Sequence, residues 1–194
     1  MRSERGRNTR DAVLGAAADL IGELGWGRVS TRAVAERAGV RPGLVHYHFA
    51  SQQELLAEAA TGRIAAWAGE ALAALEATPD LRAGLTLLLE SVAHLDATDP
   101  LHLLAAETSL AAARDPALAG ALRRVVAGFR TGLTGWLLSR GVPSGTAEGS
   151  AALLTAVLDG IALHRALDPH LPLRGAVDAL LRTLTTTEAR PCTQ

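Results

Sequence analysis

The sequence predicts an all-α fold of about nine helices, and three observations carry that expectation. Apolar residues recur at helical spacing: Ala12, Val13, Ala16, Ala17, Leu20, Ile21 and Leu24 share one face of a 3.6-residue period. The eight prolines sit between such segments and interrupt none of them. No β-branched run and no alternating apolar pattern marks a strand.

The elements follow in order. The first helix spans 9–24 and is ended by Gly25. Two short helices, 30–38 and 42–48, come next, and Ser51-Gln-Gln-Glu54 is a capping box that opens a long helix over 51–76. Thr78-Pro79 and Asp99-Pro100 each pair a good N-cap with proline at the first helical position, so helices are expected over 79–97 and 100–114. Pro116, Pro143 and Pro172 then bound helices at 116–140, 144–167 and 173–188. Residues 1–7 and 189–194 are expected to fray. The long helices, unlike the first three, are able to enclose a sizeable cavity.

The chain has 194 residues, 48% of them hydrophobic, enough for a core without disulfides or metal. A charged fraction of 20% with no long polar tract argues against bulk disorder. The net charge of −1 does not announce a nucleic-acid binder, but the charge is uneven. Residues 1–56 hold eight Arg and six acidic residues, whereas the remainder holds eleven Arg and fourteen acids, so the N-terminal end faces anions. Every basic residue is Arg, which with the abundance of Ala, Gly and Leu reads as a GC-rich coding bias. The one cysteine, Cys192, forms no internal disulfide and is poorly placed as a nucleophile. MRSERGRNTR lacks the apolar stretch of a secretory signal, and no window holds 18 uncharged apolar residues. A soluble, cytoplasmic protein with no membrane partner is expected.

The chemistry concentrates in residues 30–49, STRAVAERAGVRPGLVHYHF. Ser30 is an N-cap, and Val34, Ala35 and Ala38 form one apolar face of a two-turn helix. Gly39 falls where the chain turns through a left-handed conformation, and Val40 plugs the turn into the core. Pro42 starts a second short helix, whose buried face is Val45 and Phe49, four residues apart. Two short helices joined by such a turn form a helix-turn-helix, a motif whose second helix enters the DNA major groove. The outward residues suit that task. Arg41 donates to phosphate or a guanine edge, and His46, Tyr47 and His48 hydrogen-bond phosphate oxygens. Leu44 and Tyr47 suit a thymine methyl, and Pro42 completes the surface. Thr31 and Arg32 hold the DNA backbone at the start of the preceding helix, and Gln52 reaches a further phosphate. Local packing is the bland alternative for the two histidines. A metal site is not favoured, because their spacing puts them on different faces and no Cys or acid completes a ligand set. Arg2, Arg5, Arg7 and Arg10 read equally as an arm to DNA or as a solvated tail.

Residues 9–56 resemble the DNA-binding domain of the tetracycline-repressor-like (TetR) family. The likeness rests on the first amphipathic helix, STRAVAERAGV, the HYHF box, and the capping-box Ser followed by ELL. The resemblance implies two domains: a helix-turn-helix DNA-binding domain at 1–50, with an arm at 1–8, and a helical effector-binding and dimerisation domain at 51–194. Two positions depart from the family: His46 stands where Tyr is frequent, and Gln52 where Lys is usual. The missing charge at 52 removes a phosphate contact and flattens the salt dependence by about one unit.

The resemblance further implies a small-molecule effector of unknown identity in a pocket between the middle helices. Trp67, His102, Glu107 and Phe129 are the candidate ligand-binding residues, each with core packing or simple exposure as its bland alternative. Ala152, Ala156 and Gly160 make a row of small residues in the most apolar stretch, 151–163, suited to a buried core helix or to a dimer interface. The resemblance favours a homodimer through helices 144–167 and 173–188. It also implies a regulator, most often a repressor, released from a palindromic operator on double-stranded DNA, with helix 51–76 as the lever. The competing reading is an all-helical small-molecule-binding protein or enzyme. Against an enzyme stands the lack of HExxH, GxSxG or a P-loop. No catalytic residue, cofactor or metal is assigned.

Overall fold

The computed structural model describes residues 2–94 and 98–185. Among the described residues there are nine α-helices and no strand: α1 Arg2–Leu24, α2 Thr31–Arg37, α3 Pro42–His48, α4 Gln52–Glu76, α5 Leu81–Ala93, α6 Pro100–Ala112, α7 Pro116–Ser139, α8 Ser144–Leu167 and α9 Ala176–Thr185.

Four features differ from expectation, one of them the start of α9 at Ala176, three residues after the expected Leu173. Helix α1 begins at Arg2, so most of the segment expected to fray is helical; it contains no proline and its arginines and glutamate are good helix formers. A 3-10 turn at Trp26–Arg28, not foreseen, leads from α1 towards α2. Helix α5 starts two residues late because Asp80, not Thr78, caps it: its carboxylate accepts the Ala83 N–H at 2.8 Å. The Thr78 hydroxyl instead donates to the Leu75 carbonyl at 2.6 Å and closes α4. Asp99 caps α6 as expected, accepting the N–H groups of Leu101 and His102. The expected helix ends at 95–97 and 186–188, and the tail at 189–194 with Cys192, lie outside the described residues.

The described residues gather into two compact units, one drawn from 1–68 and 97–126, the other from 69–96 and 127–194. In the first, Val13, Ala17 and Ile21 of α1 meet Val34 and Ala35 of α2, Val45 of α3, and Leu55, Leu56 and Ala60 of α4. Each such Val, Leu or Ile, once buried, contributes about 1.5–3 kcal/mol of transfer free energy. Leu104 brings α6 into the same core. Close approach makes Gly22 obligatory there, because a Cβ would sit 2.9 Å from the Pro100 carbonyl oxygen.

The second unit is built on Leu85, Leu88 and Val92 of α5, Leu133, Trp136 and Leu137 of α7, Leu154 and Leu158 of α8, and Leu184 of α9. Trp136 is its largest buried side chain. Its Nε1–H donates to the Leu75 carbonyl at 3.0 Å, so the indole buries no unmet donor. The Arg140 guanidinium donates to the Glu76 and Thr78 carbonyls, satisfying further groups at the end of α4.

Candidate nucleic-acid interface

The turn between α2 and α3 is fixed by its own hydrogen bonds. Ser30 Oγ accepts the Ala33 N–H at 3.2 Å and caps α2. At the other end, Gly39 N–H donates to Glu36 O and Val40 N–H to Ala35 O, the double closure of a Schellman motif. Gly39 has φ of 66°, the left-handed conformation that favours glycine. Val40 packs against the core, as its plug role requires.

Helix α3 is thereby aimed. Arg41 occupies its N-cap without a side-chain capping bond, and Pro42 stands at the first position, where a missing N–H costs nothing. Val45 and Phe49 are 1% and 3% exposed, whereas Leu44 and Tyr47 are 40% and 81% exposed. Tyr47 thus lies on the surface of a helix whose inward residues, Val45 and the C-cap Phe49, are buried. Arg41, Pro42 and His46 are exposed beside it; His48 is half-buried. Arg32 is exposed, and Thr31 and Gln52, each the first residue of its helix, are half-buried. The His48 ring meets Tyr47 edge-on at 5.1 Å and tilts over Phe49 at 6.4 Å.

Ion pairs tie α2 to α1 and α1 to α4. Arg37 of α2 makes two hydrogen bonds to Glu23 of α1, at 2.8 and 2.7 Å. That bond raises the Arg37 pKa and lowers that of Glu23. Arg63 of α4 reaches Asp19 of α1 at 2.9 Å. Ser51 Oγ accepts the Glu54 N–H, while the Glu54 carboxylate reaches back to the Ala50 N–H at 2.8 Å, one residue beyond the usual reciprocal bond. Of the expected arm, Arg10 is consumed in the fold: it pairs with Glu58 of α4 at 2.6 Å and lies 5.0 Å over the Phe49 ring. Arg7 belongs to α1, and the side chains of Arg2 and Arg5 lie outside the described set.

The expected effector residues divide between the units. Trp67 of α4 and His102 and Glu107 of α6 belong to the first, Phe129 of α7 to the second. Trp67 and His102 are half-buried and Phe129 is buried. Glu107 accepts the Trp26 N–H at 2.8 Å, and its carboxylate lies 3.3 Å from where a Gly25 side chain would begin. Gly25 has φ of 84° and ψ of 151°, a region open to glycine alone. Glu107 also lines an open cleft of about 610 Å³ with Trp26, Gln53, Leu110 and Arg114. Sequence reasoning took Arg10 for an arm or a tail and missed its pairing with Glu58, 48 residues away, as well as that of Trp26 with Glu107, 81 residues away. Among the described residues, no group of three His, Cys, Asp or Glu side chains is placed to hold a metal ion.

A short exposed helix of this kind, set by a Schellman turn on a three-helix core, defines a helix-turn-helix DNA-binding protein. Residues 13–59 match the model of the bacterial regulatory proteins of the tetR family, and residues 79–187 match that of the tetracyclin repressor-like C-terminal domain. The chain belongs to the TetR family of bacterial transcriptional regulators. It is similar to a transcriptional regulator from Rhodococcus sp. Rha1, with 31% identity, a TM-score of 0.74, and 90% of this chain and 95% of that one covered. It is also similar to SCO7518 from Streptomyces coelicolor A3(2), with 32% identity, a TM-score of 0.70, and coverage of 92% and 99%. The fold is shared, at 18% identity and a TM-score of 0.67, with FadR from Bacillus subtilis in complex with stearoyl-CoA, with coverage of 90% and 97%. No curated protein matches the chain.

Proposed function

We propose that this regulator is a homodimeric, ligand-responsive repressor that leaves a palindromic operator when a small molecule binds its C-terminal domain. The exposure of Tyr47 above the buried pair Val45 and Phe49 is the observation that carries the DNA-binding half of this reading. Tyr47, His46, Leu44 and Pro42 meet the major groove. Arg41, Arg32, Thr31, His48 and Gln52 take phosphates along its edges. DNA-binding residues 1–50 and effector-binding residues 51–194 are the proposed functional division.

Dimerisation rests on the outer face of α8. Leu153, Leu163 and Leu167 are 45%, 54% and 78% exposed, and Ala152 and Ala156 are exposed between them. Helix α8 is long and apolar enough to cross a membrane by length and composition, yet a second copy of the same face accounts for its leucines equally well. The twofold pair then presents two α3 helices to successive major grooves, roughly 34–36 Å apart. Such a regulator acts on DNA in the cytoplasm. The effector is a small molecule, and Trp67, His102, Glu107 and Phe129 are each separate candidates to contact it, the first three in one unit and Phe129 in the other; the FadR neighbour was solved with stearoyl-CoA. Its binding favours a dimer with wrongly spaced α3 helices, and operator affinity falls by the coupling free energy. Helix α4, which contributes to both units, is the lever.

A gel shift with the DNA upstream of the coding region tests the reading. Tyr47→Ala is expected to abolish the operator complex while the dimer persists. A variant that binds normally contradicts the recognition-helix assignment.

A further inference from the structure

The reach of Arg10 suggests a role that its place near the chain start conceals. It projects from α1 and makes bonds of 2.6 Å to each carboxylate oxygen of Glu58 on α4. The same guanidinium lies 5.0 Å from the centroid of Phe49, the C-cap of the recognition helix. From Phe49 the rings continue outward: His48 tilts over it at 6.4 Å, and Tyr47 stands edge-on to His48 at 5.1 Å. Phe49 is 3% exposed and Tyr47 81%, so the line of rings runs from the core to the DNA-facing surface.

We propose that Arg10 is a positioning residue for DNA recognition: it clamps the C-terminus of α3 and, through Phe49 and His48, sets the orientation in which Tyr47 meets the groove. The two bonds to Glu58 hold the guanidinium plane in place, which a flexible ammonium would not do. The cation over the ring then holds Phe49, itself buried in the core. The guanidinium is charged at any pH at which DNA binds. This inference rests on the DNA-binding reading, but it concerns a residue that touches no DNA.

The test uses the full-length wild type, Arg10→Gln and Glu58→Gln. Each is titrated with operator DNA and with unrelated duplex DNA over a range of salt, alongside thermal unfolding. Arg10→Gln is expected to weaken operator binding about fivefold, the factor that about 1 kcal/mol carries. Non-specific affinity and the slope of log affinity against log salt stay those of the wild type, because no phosphate contact is lost. Glu58→Gln, which keeps the cation but loosens its seat, is expected to fall between the two. Three outcomes overturn the proposal. A slope lowered by about one unit makes Arg10 a phosphate contact. Operator and non-specific affinities falling together make it a merely structural residue. Unchanged operator affinity in both variants removes any role. If Arg10→Gln unfolds, Glu58→Gln alone decides between the same outcomes. Failure of the wild type to bind any operator refutes the DNA-binding reading itself, and is thereby distinguished.

Discussion

Replacing Glu107 by alanine separates two roles that one carboxylate can hold. Its Oε2 accepts the Trp26 N–H at 2.8 Å, the first backbone donor after Gly25 and the start of the turn that leads to α2. A hydrogen bond to a charged group contributes about 1.5–3 kcal/mol net. Glu107 and Trp26 are both half-buried, so water replaces part of what is lost, and the lower end, about 1.5 kcal/mol, applies. For a chain of this length that loss lowers the melting temperature by roughly 3–6 °C. Glu107→Gln keeps an acceptor oxygen without the charge and is expected to lose about half as much. Scanning calorimetry of the three proteins, with and without effector, is the assay. If Glu107→Ala melts with the wild type, the bond to Trp26 is not what holds this turn. If Glu107→Ala melts with the wild type and only effector affinity falls, Glu107 serves the ligand alone.

Further outcomes follow from packing and charge. Gly84→Ala places a Cβ 2.1 Å from Cζ2 of Trp136, whose indole is anchored to the Leu75 carbonyl and cannot retreat; a loss of about 2 kcal/mol in denaturant unfolding is expected. Gly128→Ala in α7 meets nothing within 4 Å and gains about 0.4–1 kcal/mol by the same measurement. Asp159 of α8 keeps an exposed side, yet burial pushes its carboxyl above the ordinary value of 3.8. Its contribution to stability is full below that value and is lost as pH rises through the raised folded pKa. Asp159→Asn therefore raises the melting temperature at neutral pH, and the advantage vanishes in acid. Leu163→Glu, on the outer face of α8, is expected to shift sedimentation from dimer to monomer without unfolding the chain.

Local signals made most of the fold legible. Helix boundaries marked by a cap and a proline, as at Asp99-Pro100, fell where expected, because the carboxylate and the pyrrolidine act within one turn. Thr78-Pro79 misled for the same reason: Asp80, next in line, is the stronger cap, and local chemistry chose it. Gly39, Val45, Phe49 and Tyr47 were readable because turn conformation and helical period decide them within ten residues. Arg10 was not, since its partner Glu58 lies 48 positions away and nothing near it foretells that pairing. Glu107 was picked out as a polar residue on an aliphatic helix, but its bond to the Trp26 backbone, 81 residues away, has no sequence signature at all. Pocket residues share that difficulty, because a cavity is a property of packed helices rather than of any one period.

Operator binding by the full-length protein is the most direct test of the central claim. The upstream DNA, or fragments drawn from a genomic selection, is titrated at several salt concentrations with wild type and Tyr47→Ala side by side. The prediction is a twofold-symmetric site bound by a dimer. Affinity for it falls steeply with salt, and the complex disappears in Tyr47→Ala. Uniformly weak binding to all sequences, or a specific complex indifferent to Tyr47, would contradict it.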